Sequence, residues 1–188
     1  MVLVATAVGA VPYVEEQRSA HEPAALLRAY DRVTVGRPDG DVVLTGDFAV
    51  SFFRPVHLFN VWNAHYSNPV AEFAARSRFL DRVAGETDPA VVAAALRHNR
   101  YDAVDVVVLD VNRGHLTFTE YQDNFPRGTR ARTRSFHSEQ FGARWFARTV
   151  AGGRVFLVAR PADPLRALDA GQRRELRQRF AGDLRVPN

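Results

Sequence analysis

The sequence predicts a single domain of the α/β or α+β class, in which helices pack against a mixed β-sheet. Three observations indicate this class. Strand-like and helical segments alternate in the first part of the chain, and several segments typical of antiparallel strands follow them. Of the 188 residues, 46% are hydrophobic and 13 are phenylalanine, which is enough for one hydrophobic core. No segment repeats at a fixed period, so a repeat architecture is not indicated.

The N-terminal segment, residues 1–14, is apolar and gives way abruptly to the polar residues EEQR. It is shorter than the roughly 20 residues that span a bilayer, and it lacks the positively charged start of a signal peptide. Three interpretations stay open: a buried strand or helix, a truncated signal peptide, or the end of a transmembrane helix. The small residues of the segment and its stop at Pro12 and Glu15 favour the last of these.

The next elements follow from local patterns. Residues 22–32 are predicted to form a short helix, with Pro23 in its first turn. The turn GRPDGD comes next, and Val42–Leu44 after it are predicted to form a buried strand. Residues 48–60 are aromatic and only loosely periodic, which favours a strand or an extended segment leading into the next loop.

Two further helices are predicted from caps that contain proline. Asn68 precedes Pro69, and apolar residues at helical spacing follow. Asp88 precedes Pro89 in the same way and starts the second of these helices. Val104–Leu109 then form the strongest strand pattern in the chain, because the segment is short, apolar and rich in valine.

The C-terminal part of the sequence predicts antiparallel pairing. Residues 115–121 alternate with period two, and residues 129–136 are predicted to form an exposed strand. Two apolar segments flank a Gly-Gly pair and predict a hairpin, with Val155–Val158 in its buried strand. Residues 162–188 are predicted to form a polar, arginine-rich helical tail. This tail either docks on the domain through an apolar stripe or is held loosely.

Composition and motifs exclude several function classes. The chain has no cysteine, so disulfides, thiolate metal sites and thiol nucleophiles are excluded. The P-loop, the dinucleotide fingerprint and the G-x-S-x-G elbow are absent. The histidines lack the spacing of metal ligands, so we expect no metal and no cofactor. All 25 basic residues are arginine, and the formal net charge of +4 suits an anionic partner such as phosphate, a lipid headgroup or nucleic acid.

Two groups of charged residues are weaker candidates for a site. Glu120 and Asp123 flank the end of a predicted strand and could form a carboxylate pair for glycoside chemistry. The favoured interpretation is that both are solvated. A cluster of arginines suggests nucleic-acid binding. Alternation, however, puts Arg130, Arg132 and Arg134 on one side of a strand, which is typical of an ordinary solvated edge.

The densest stretch is FNVWNAHYSNPV, residues 59–70, which concentrates aromatic rings, an imidazole and carboxamides. Aromatic faces stack on the CH groups of a sugar and carboxamides bind its hydroxyls, so the stretch predicts a carbohydrate site. The alternative is a structured loop in which the rings are core anchors and the asparagines cap turns. If the site exists, we expect the 62–68 and 123–126 loops to lie near each other on one edge of the sheet. The candidate ligand-binding residues are Trp62, His65, Tyr66, Asn68, Asp123 and Asn124.

Four segments, in this order, resemble the C-terminal soluble domain of actinobacterial galactan arabinofuranosyltransferases, the arabinofuranosyltransferase A family. They are FRPVHLFNVWNAHYSNPVAEFAAR, NRYDAVDVVVL, YQDNFPRG and VFLVAR. Within them, WNAHYSNP and DNFP are the specific strings. The resemblance extends from about Val11 to Pro161, so the arginine-rich tail lies outside it.

The resemblance implies a membrane-embedded parent enzyme that transfers D-arabinofuranose from decaprenyl-phosphoryl arabinose to cell-wall galactan. It implies that residues 1–14 end a transmembrane helix and that residues 15–161 form an extracytoplasmic domain at the plasma membrane. The catalytic carboxylates are expected in the membrane half, so this chain is assigned no catalytic residue. The expected partners are the galactan acceptor and the parent's own transmembrane region, and not nucleic acid. The alternative is a non-enzymatic polysaccharide-binding or assembly module.

Overall fold

The computed structural model describes residues 23–61, 72–123 and 128–185. Within these ranges the chain forms six α-helices and seven β-strands. The helices are α1 (Pro23–Val33), α2 (Ala49–Phe53), α3 (Phe73–Ala84), α4 (Pro89–His98), α5 (Pro164–Ala167) and α6 (Ala170–Phe180). The strands are β1 (Val42–Thr45), β2 (His57–Leu58), β3 (Val106–Asn112), β4 (His115–Asp123), β5 (Thr129–Phe136), β6 (Phe146–Ala151) and β7 (Arg154–Ala159).

All seven of these strands belong to one mixed sheet organised around β3. Along one edge β3 pairs antiparallel with β7. Along the other edge it pairs in parallel with β1 over Val106–Val108, and antiparallel with β4 over Asp110–Asn112. The outer strands are β2 beside β1, β5 beside β4 and β6 beside β7. The sheet therefore forks where β1 ends and β4 begins.

Gly46 allows the two branches of this fork to come close together. A Cβ atom at this position would lie 3.1 Å from the backbone oxygen of Thr119, which is closer than most such contacts. Glycine therefore lets the chain leave β1 directly beside β4. The β4–β5 hairpin continues past this point, beyond the end of β1.

Because β3 is buried on both faces, the domain has three layers. The side chains of Val107 and Leu109 join the larger hydrophobic core, which α3, α4 and α6 cover. Those of Val106 and Val108 point the other way and join a smaller core under α1 and α2. Each of the four is at most 2% exposed, and burial of one such side chain stabilises the fold by roughly 2 kcal/mol. The predicted fold class, a single domain with helices packed on a mixed sheet, is confirmed.

Several predicted elements are observed where local sequence patterns placed them. The strands predicted at Val42–Leu44 and Val155–Val158 correspond to β1 and β7. The helix predicted at Asp88 is α4, and its cap is formed as expected, since Asp88 Oδ1 accepts hydrogen bonds from the backbone N–H groups of Ala90 at 2.8 Å and Val91 at 3.2 Å. The strand predicted at Val104–Leu109 begins two residues later, at Val106, although Val104 is buried.

The extended segment predicted for residues 48–60 is wrong over its first part, which forms α2. The reason is a pair of local hydrogen bonds at Asp47, which turn the chain just before the helix. Its Oδ1 accepts a hydrogen bond from the backbone N–H of Ala49 at 2.9 Å, while its own backbone N–H donates to the Thr45 hydroxyl at 3.0 Å. Burial of Val50 then fixes the single helical turn against the smaller core. Only the short strand β2 preserves the predicted extended conformation as part of the sheet.

The helix predicted to start at Asn68 begins instead at Phe73 in the described residues. Glu72, directly before it, has φ 52°, in the left-handed region, so an α-helix does not continue through this position. Asn68 and Pro69 themselves lie outside the described residues, as do residues 1–14. Among the helices that the structure describes, none is long and apolar enough to cross a bilayer.

The arginine-rich tail docks on the domain through α6. Leu176 and Phe180 are buried in the larger core, and the Phe180 ring packs edge-on against Phe79 with centroids 5.6 Å apart. The side-chain amide of Gln172 donates to Asp88 Oδ2 at 2.8 Å, which ties α6 to the start of α4. Of the two interpretations for the tail, docking is the one observed.

We expect Phe180→Ala to lower the free energy of unfolding by about 4 kcal/mol, because it leaves a cavity in the larger core. Phe52→Ala is the matched control, since the same atoms are removed from a ring that is 72% exposed; its effect should stay below about 1 kcal/mol. Chemical denaturation of both variants measures the difference. Equal effects would show that α6 is not an integral part of the core.

Candidate functional site

The β4–β5 hairpin lies against α3, and the face it turns toward the helix changes from apolar to ionic along its length. Nearest the central sheet, Leu116 lies opposite Phe136. The next pair on this face is Phe118 with Arg134. The third pair is Glu120 with Arg132. The hydrophobic core therefore ends partway along the hairpin. Beyond that point, charged side chains fill the space between the hairpin and α3.

The carboxylate of Glu120 is inaccessible to solvent and surrounded by hydrogen-bond donors. Its Oε2 accepts from the side-chain amide of Asn60 at 2.9 Å. Its Oε1 accepts from the Ser77 hydroxyl, from Arg134 Nη2 at 3.0 Å and from Gln122 Nε2 at 3.3 Å. Removing a carboxylate from water costs several kcal/mol, and this set of donors together with the arginine charge offsets that cost.

Arg134 is the cation that neutralises Glu120, and only 5% of it is exposed. Its Nη2 also donates to the backbone oxygen of Ser77 at 2.9 Å, and its Nε donates to Asp81 Oδ1 at 2.8 Å. Arg132 donates to the second oxygen of Asp81 at 2.5 Å. Two arginines thus balance two carboxylates. Arg134 Nη1 is buried and has no hydrogen-bond partner among the described residues.

We call this set the Glu120 cluster. It joins three parts of the chain: α3, the β4–β5 hairpin and the segment that leads into residues 62–71. Its members are Asn60, Ser77, Asp81, Glu120, Arg132 and Arg134.

The cluster corrects two interpretations from the sequence. Glu120 and Arg134 are buried, and Arg132 is half-buried with its guanidinium on Asp81 of α3. Arg130, by contrast, is exposed, as the sequence predicted.

The sequence contained a signal for the burial of Glu120. Leu116, Phe118 and Glu120 are two residues apart on one strand and therefore share one face. A buried carboxylate held by so many donors is suited to positioning chain segments, and it offers no accessible oxygen for catalysis.

The predicted ligand-binding residues fall almost entirely outside the described ranges. Trp62, His65, Tyr66, Asn68 and Asn124 lie outside them. For Asp123 the structure describes the backbone, which closes β4 opposite Thr129, and not the side chain. The binding site and the closeness of its two loops therefore stay predictions.

Histidines and carboxylates do not gather into a metal centre in the described part of the chain. The rings of His115 and His137 pack edge-on with centroids 5.5 Å apart. No group of three or more His, Asp or Glu side chains within the described ranges is arranged to hold a metal ion.

A second polar cluster lies at the start of β1 and β3, beside a cleft of about 210 Å³. Asp41 accepts hydrogen bonds from Tyr30 Oη at 3.3 Å and from Arg37 Nε at 2.9 Å. Asp105 receives Arg37 Nη2 at 3.2 Å and the backbone N–H of Val42 at 3.0 Å. Burial of the Tyr30 ring, together with the negative charge of Asp41, raises the pKa of Tyr30 well above its usual value. These contacts join α1 to the N-terminal ends of the parallel strands β1 and β3.

We expect Glu120→Ala to lower the free energy of unfolding by about 3–5 kcal/mol, because it leaves the Arg134 guanidinium buried without its main partner. The double variant Glu120→Leu/Arg134→Leu should recover much of that loss, since it removes both charges. Glu139→Ala, on an exposed carboxylate, is the control and should leave stability unchanged. Urea denaturation provides the comparison. A double variant no more stable than Glu120→Ala would contradict the ion-pair account.

Tyr30 should make the domain less stable in alkaline solution. Above about pH 10 the phenol ionises in the unfolded chain and stays protonated in the folded one, so the free energy of unfolding falls as pH rises. Tyr30→Phe removes this dependence, and its stability should fall less steeply between about pH 8 and pH 11. Denaturation midpoints across that range test the point. Parallel pH profiles for the two proteins would overturn it.

Comparison with known proteins yields one family match. A family model described as arabinofuranosyltransferase A C terminal matches residues 15–160, which is most of the chain. The Glu120 cluster lies inside the matched range, whereas α5 and α6 lie beyond its end. No curated protein matches the chain.

Proposed function

Because the chain belongs to the arabinofuranosyltransferase A C-terminal family, we propose that it is the extracytoplasmic C-terminal domain of a membrane glycosyltransferase. In this proposal the parent enzyme transfers D-arabinofuranose from decaprenyl-phosphoryl arabinose to cell-wall galactan. The domain assists by binding the galactan acceptor, and it does so beside the parent's own transmembrane region. The catalytic carboxylates belong to that membrane region.

The observation that carries the binding role is the hydrogen bond between Asn60 and Glu120. Trp62 follows Asn60 by two residues, so their Cα atoms are at most about 7 Å apart. Asp123 follows Glu120 by three residues along a strand, a distance of roughly 10 Å. The described bases of both candidate loops are therefore linked by one buried contact. This supports the proposal that the two loops contribute to a single surface.

The two ends of the first loop are held by contacts with α3 and the segment after α4. At the near end, Arg76 Nη1 donates to the backbone oxygen of Phe59 at 2.7 Å, and its guanidinium lies 5.2 Å from the centre of the Phe59 ring. The same arginine pairs with Asp102 at 2.7 Å. At the far end, Glu72 pairs with Arg100. Fixed loop ends lower the entropy that binding must overcome, which favours recognition of a weakly binding ligand.

The residue types proposed for the surface suit a neutral polysaccharide. Rings such as Trp62 and Tyr66 offer apolar faces to sugar CH groups, and the carboxamides and Asp123 offer hydrogen bonds to hydroxyls. No net charge attraction is required, so affinity rests on a few hydrogen bonds and a stacking contact. A dissociation constant on the order of 1 mM, about −4 kcal/mol, is expected for such a site.

The same surface would serve the alternative, a non-enzymatic polysaccharide-binding module. Among the described residues, Glu120 is a poor candidate for a catalytic carboxylate, because it is buried and both its oxygens accept hydrogen bonds. A binding role is therefore better supported than a catalytic one. Both functions therefore share a first test, which is whether the chain binds galactan.

Tryptophan fluorescence provides this test, since the chain has two tryptophans. Trp145 is only 7% exposed and lies in the larger core. The variant Trp145→Phe leaves Trp62 as the sole reporter, and Trp62→Phe leaves Trp145. We expect galactan oligomers to change the emission of Trp145→Phe and to leave that of Trp62→Phe unchanged.

Dextran, a neutral polysaccharide of different sugar, is the control for nonspecific effects. Thermal unfolding of both variants confirms that they are folded. An unchanged emission spectrum for folded Trp145→Phe with galactan oligomers would contradict the binding role, as would an equal response to dextran. The unchanged spectrum would favour the alternative in which Trp62 is a core anchor of a structured loop, and the equal response to dextran would indicate nonspecific binding.

A further inference from the structure

The chain beyond α6 runs antiparallel beside the segment that follows α4. Leu184 forms an isolated antiparallel bridge with Asn99. The backbone N–H of Arg100 donates to the backbone oxygen of Asp183 at 2.6 Å. We call residues 183–185 the tail clasp, and they lie beyond residue 160, where the family match ends.

The side chain of Asp183 is buried, and both of its carboxylate oxygens accept hydrogen bonds. Oδ1 accepts from the Tyr101 hydroxyl at 2.7 Å. Oδ2 accepts from Arg82 Nη2 on α3, with which it also forms an ion pair. One residue of the tail clasp therefore fixes the hydroxyl of Tyr101 with its side chain and the backbone of Arg100 with its own backbone.

The ring of Tyr101 packs against the residues that precede the segment 62–71. It meets the Phe59 ring edge-on, with centroids 6.3 Å apart. The Arg76 guanidinium lies 5.3 Å from the centre of the Tyr101 ring, and it also donates to the backbone oxygen of Phe59. Tyr101 therefore supports the near end of this segment through one ring and one cation.

Arg100 connects the tail clasp to the far end of the same segment. Its guanidinium lies 4.7 Å from the centre of the Tyr101 ring and pairs with Glu72, the first residue that the structure describes after the segment. An exposed ion pair contributes little by itself, so this one depends on Arg100 being held in place. Each end of the segment is thus two contacts away from Asp183.

Docking of α6 does not by itself account for the buried carboxylate of Asp183. Leu176 and Phe180 already place the helix in the larger core. Burying a charge costs free energy that an apolar contact would not cost. What the carboxylate adds is a fixed geometry, because it holds hydrogen-bond donors from two distant parts of the chain at once.

We propose that Asp183 is a positioning residue for the galactan-binding surface. Through Tyr101 it fixes the near end, and through Arg100 the far end, of the segment that the proposed function assigns to sugar binding. The inference rests on that proposed function, and it extends the function to a part of the chain outside the matched family range. A surface whose ends are already fixed loses less chain entropy when a polysaccharide binds.

The test uses the Trp145→Phe protein as the parent, because Trp62 is its sole tryptophan. Tyr101→Phe removes only the hydroxyl that donates to Asp183 and keeps the ring. Its matched control is Tyr30→Phe, which removes another hydroxyl that donates to an aspartate, but in the smaller core.

Asp183→Ala removes the carboxylate itself. Its matched control is Asp163→Ala, since Asp163 also belongs to the C-terminal part of the chain and accepts a hydrogen bond from His98 at the end of α4. Thermal unfolding of every variant sets a temperature at which all of them are folded.

Two quantities are measured at that temperature. One is the emission anisotropy of Trp62 without sugar, which reports nanosecond motion. The other is the emission change with galactan oligomers at concentrations below the dissociation constant, where the change is inversely proportional to that constant.

We expect Tyr101→Phe and Asp183→Ala to lower the anisotropy and to give on the order of a tenth of the parent's emission change, because galactan must then order the segment ends. Both controls should match the parent. The combined variant Asp183→Ala/Tyr101→Phe should respond like Asp183→Ala alone, since both changes break the same contact.

A purely structural role for Asp183 predicts lower melting temperatures with unchanged anisotropy and an unchanged galactan response, and that result would overturn the proposal. Equal changes in the controls would do the same, as would a combined variant weakened by the product of the two single effects. If galactan leaves the parent's emission unchanged, the proposed function fails. The anisotropy, which needs no ligand, then supports or overturns the positioning role of Asp183 by itself.

Discussion

The domain is organised by the need to bury β3 on both faces. Four consecutive apolar residues, Val106–Leu109, alternate between the two sides of the sheet, and each side must be covered. The covering helices come from three parts of the chain, since α3 and α4 from its middle also cover the larger core. On one side α1 and α2 precede most of the sheet, and on the other α6 closes the larger core after the last strand. The docked tail is thus a consequence of the same requirement.

The Glu120 cluster shows how the fold continues where apolar side chains end. Beyond the fork in the sheet, the β4–β5 hairpin pairs with no strand on the β1 side among the described residues, and it rests on α3. Ion pairs replace hydrophobic contacts there, with both oxygens of the Glu120 carboxylate occupied. Hydrogen bonds to the buried carboxylate, such as that from Asn60, are directional, whereas apolar contacts are not. They can therefore fix the position of Asn60, and with it the start of the loop proposed to bind sugar, more narrowly than packing alone.

Much of the fold could be predicted from local sequence patterns. The features that could not be predicted in this way depend mostly on contacts between residues far apart in the chain. The cap at Asp88 and the β6–β7 hairpin depend on neighbours within a few residues, so their patterns were sufficient. Burial of Glu120 depends on Ser77, which is 43 residues away in the chain, and local spacing does not report on such a partner. The sequence did not predict α2 because the turn hydrogen bonds of Asp47 outweighed the strand preference of an aromatic segment.

The two strands that pair with the same side of β3, β1 and β4, differ in how much chain entropy is lost when each pair forms. The β3–β4 pair is closed by the two-residue turn Arg113–Gly114, where both residues have positive φ. The parallel β1–β3 pair is different, since Val42 contacts Asp105 across 63 residues of chain. Closing the longer loop costs about 3 kcal/mol more in chain entropy. The apolar contacts of the small core under α1 help to offset that difference, so the parallel β1–β3 pair depends on packing from a second layer more than the β3–β4 hairpin does.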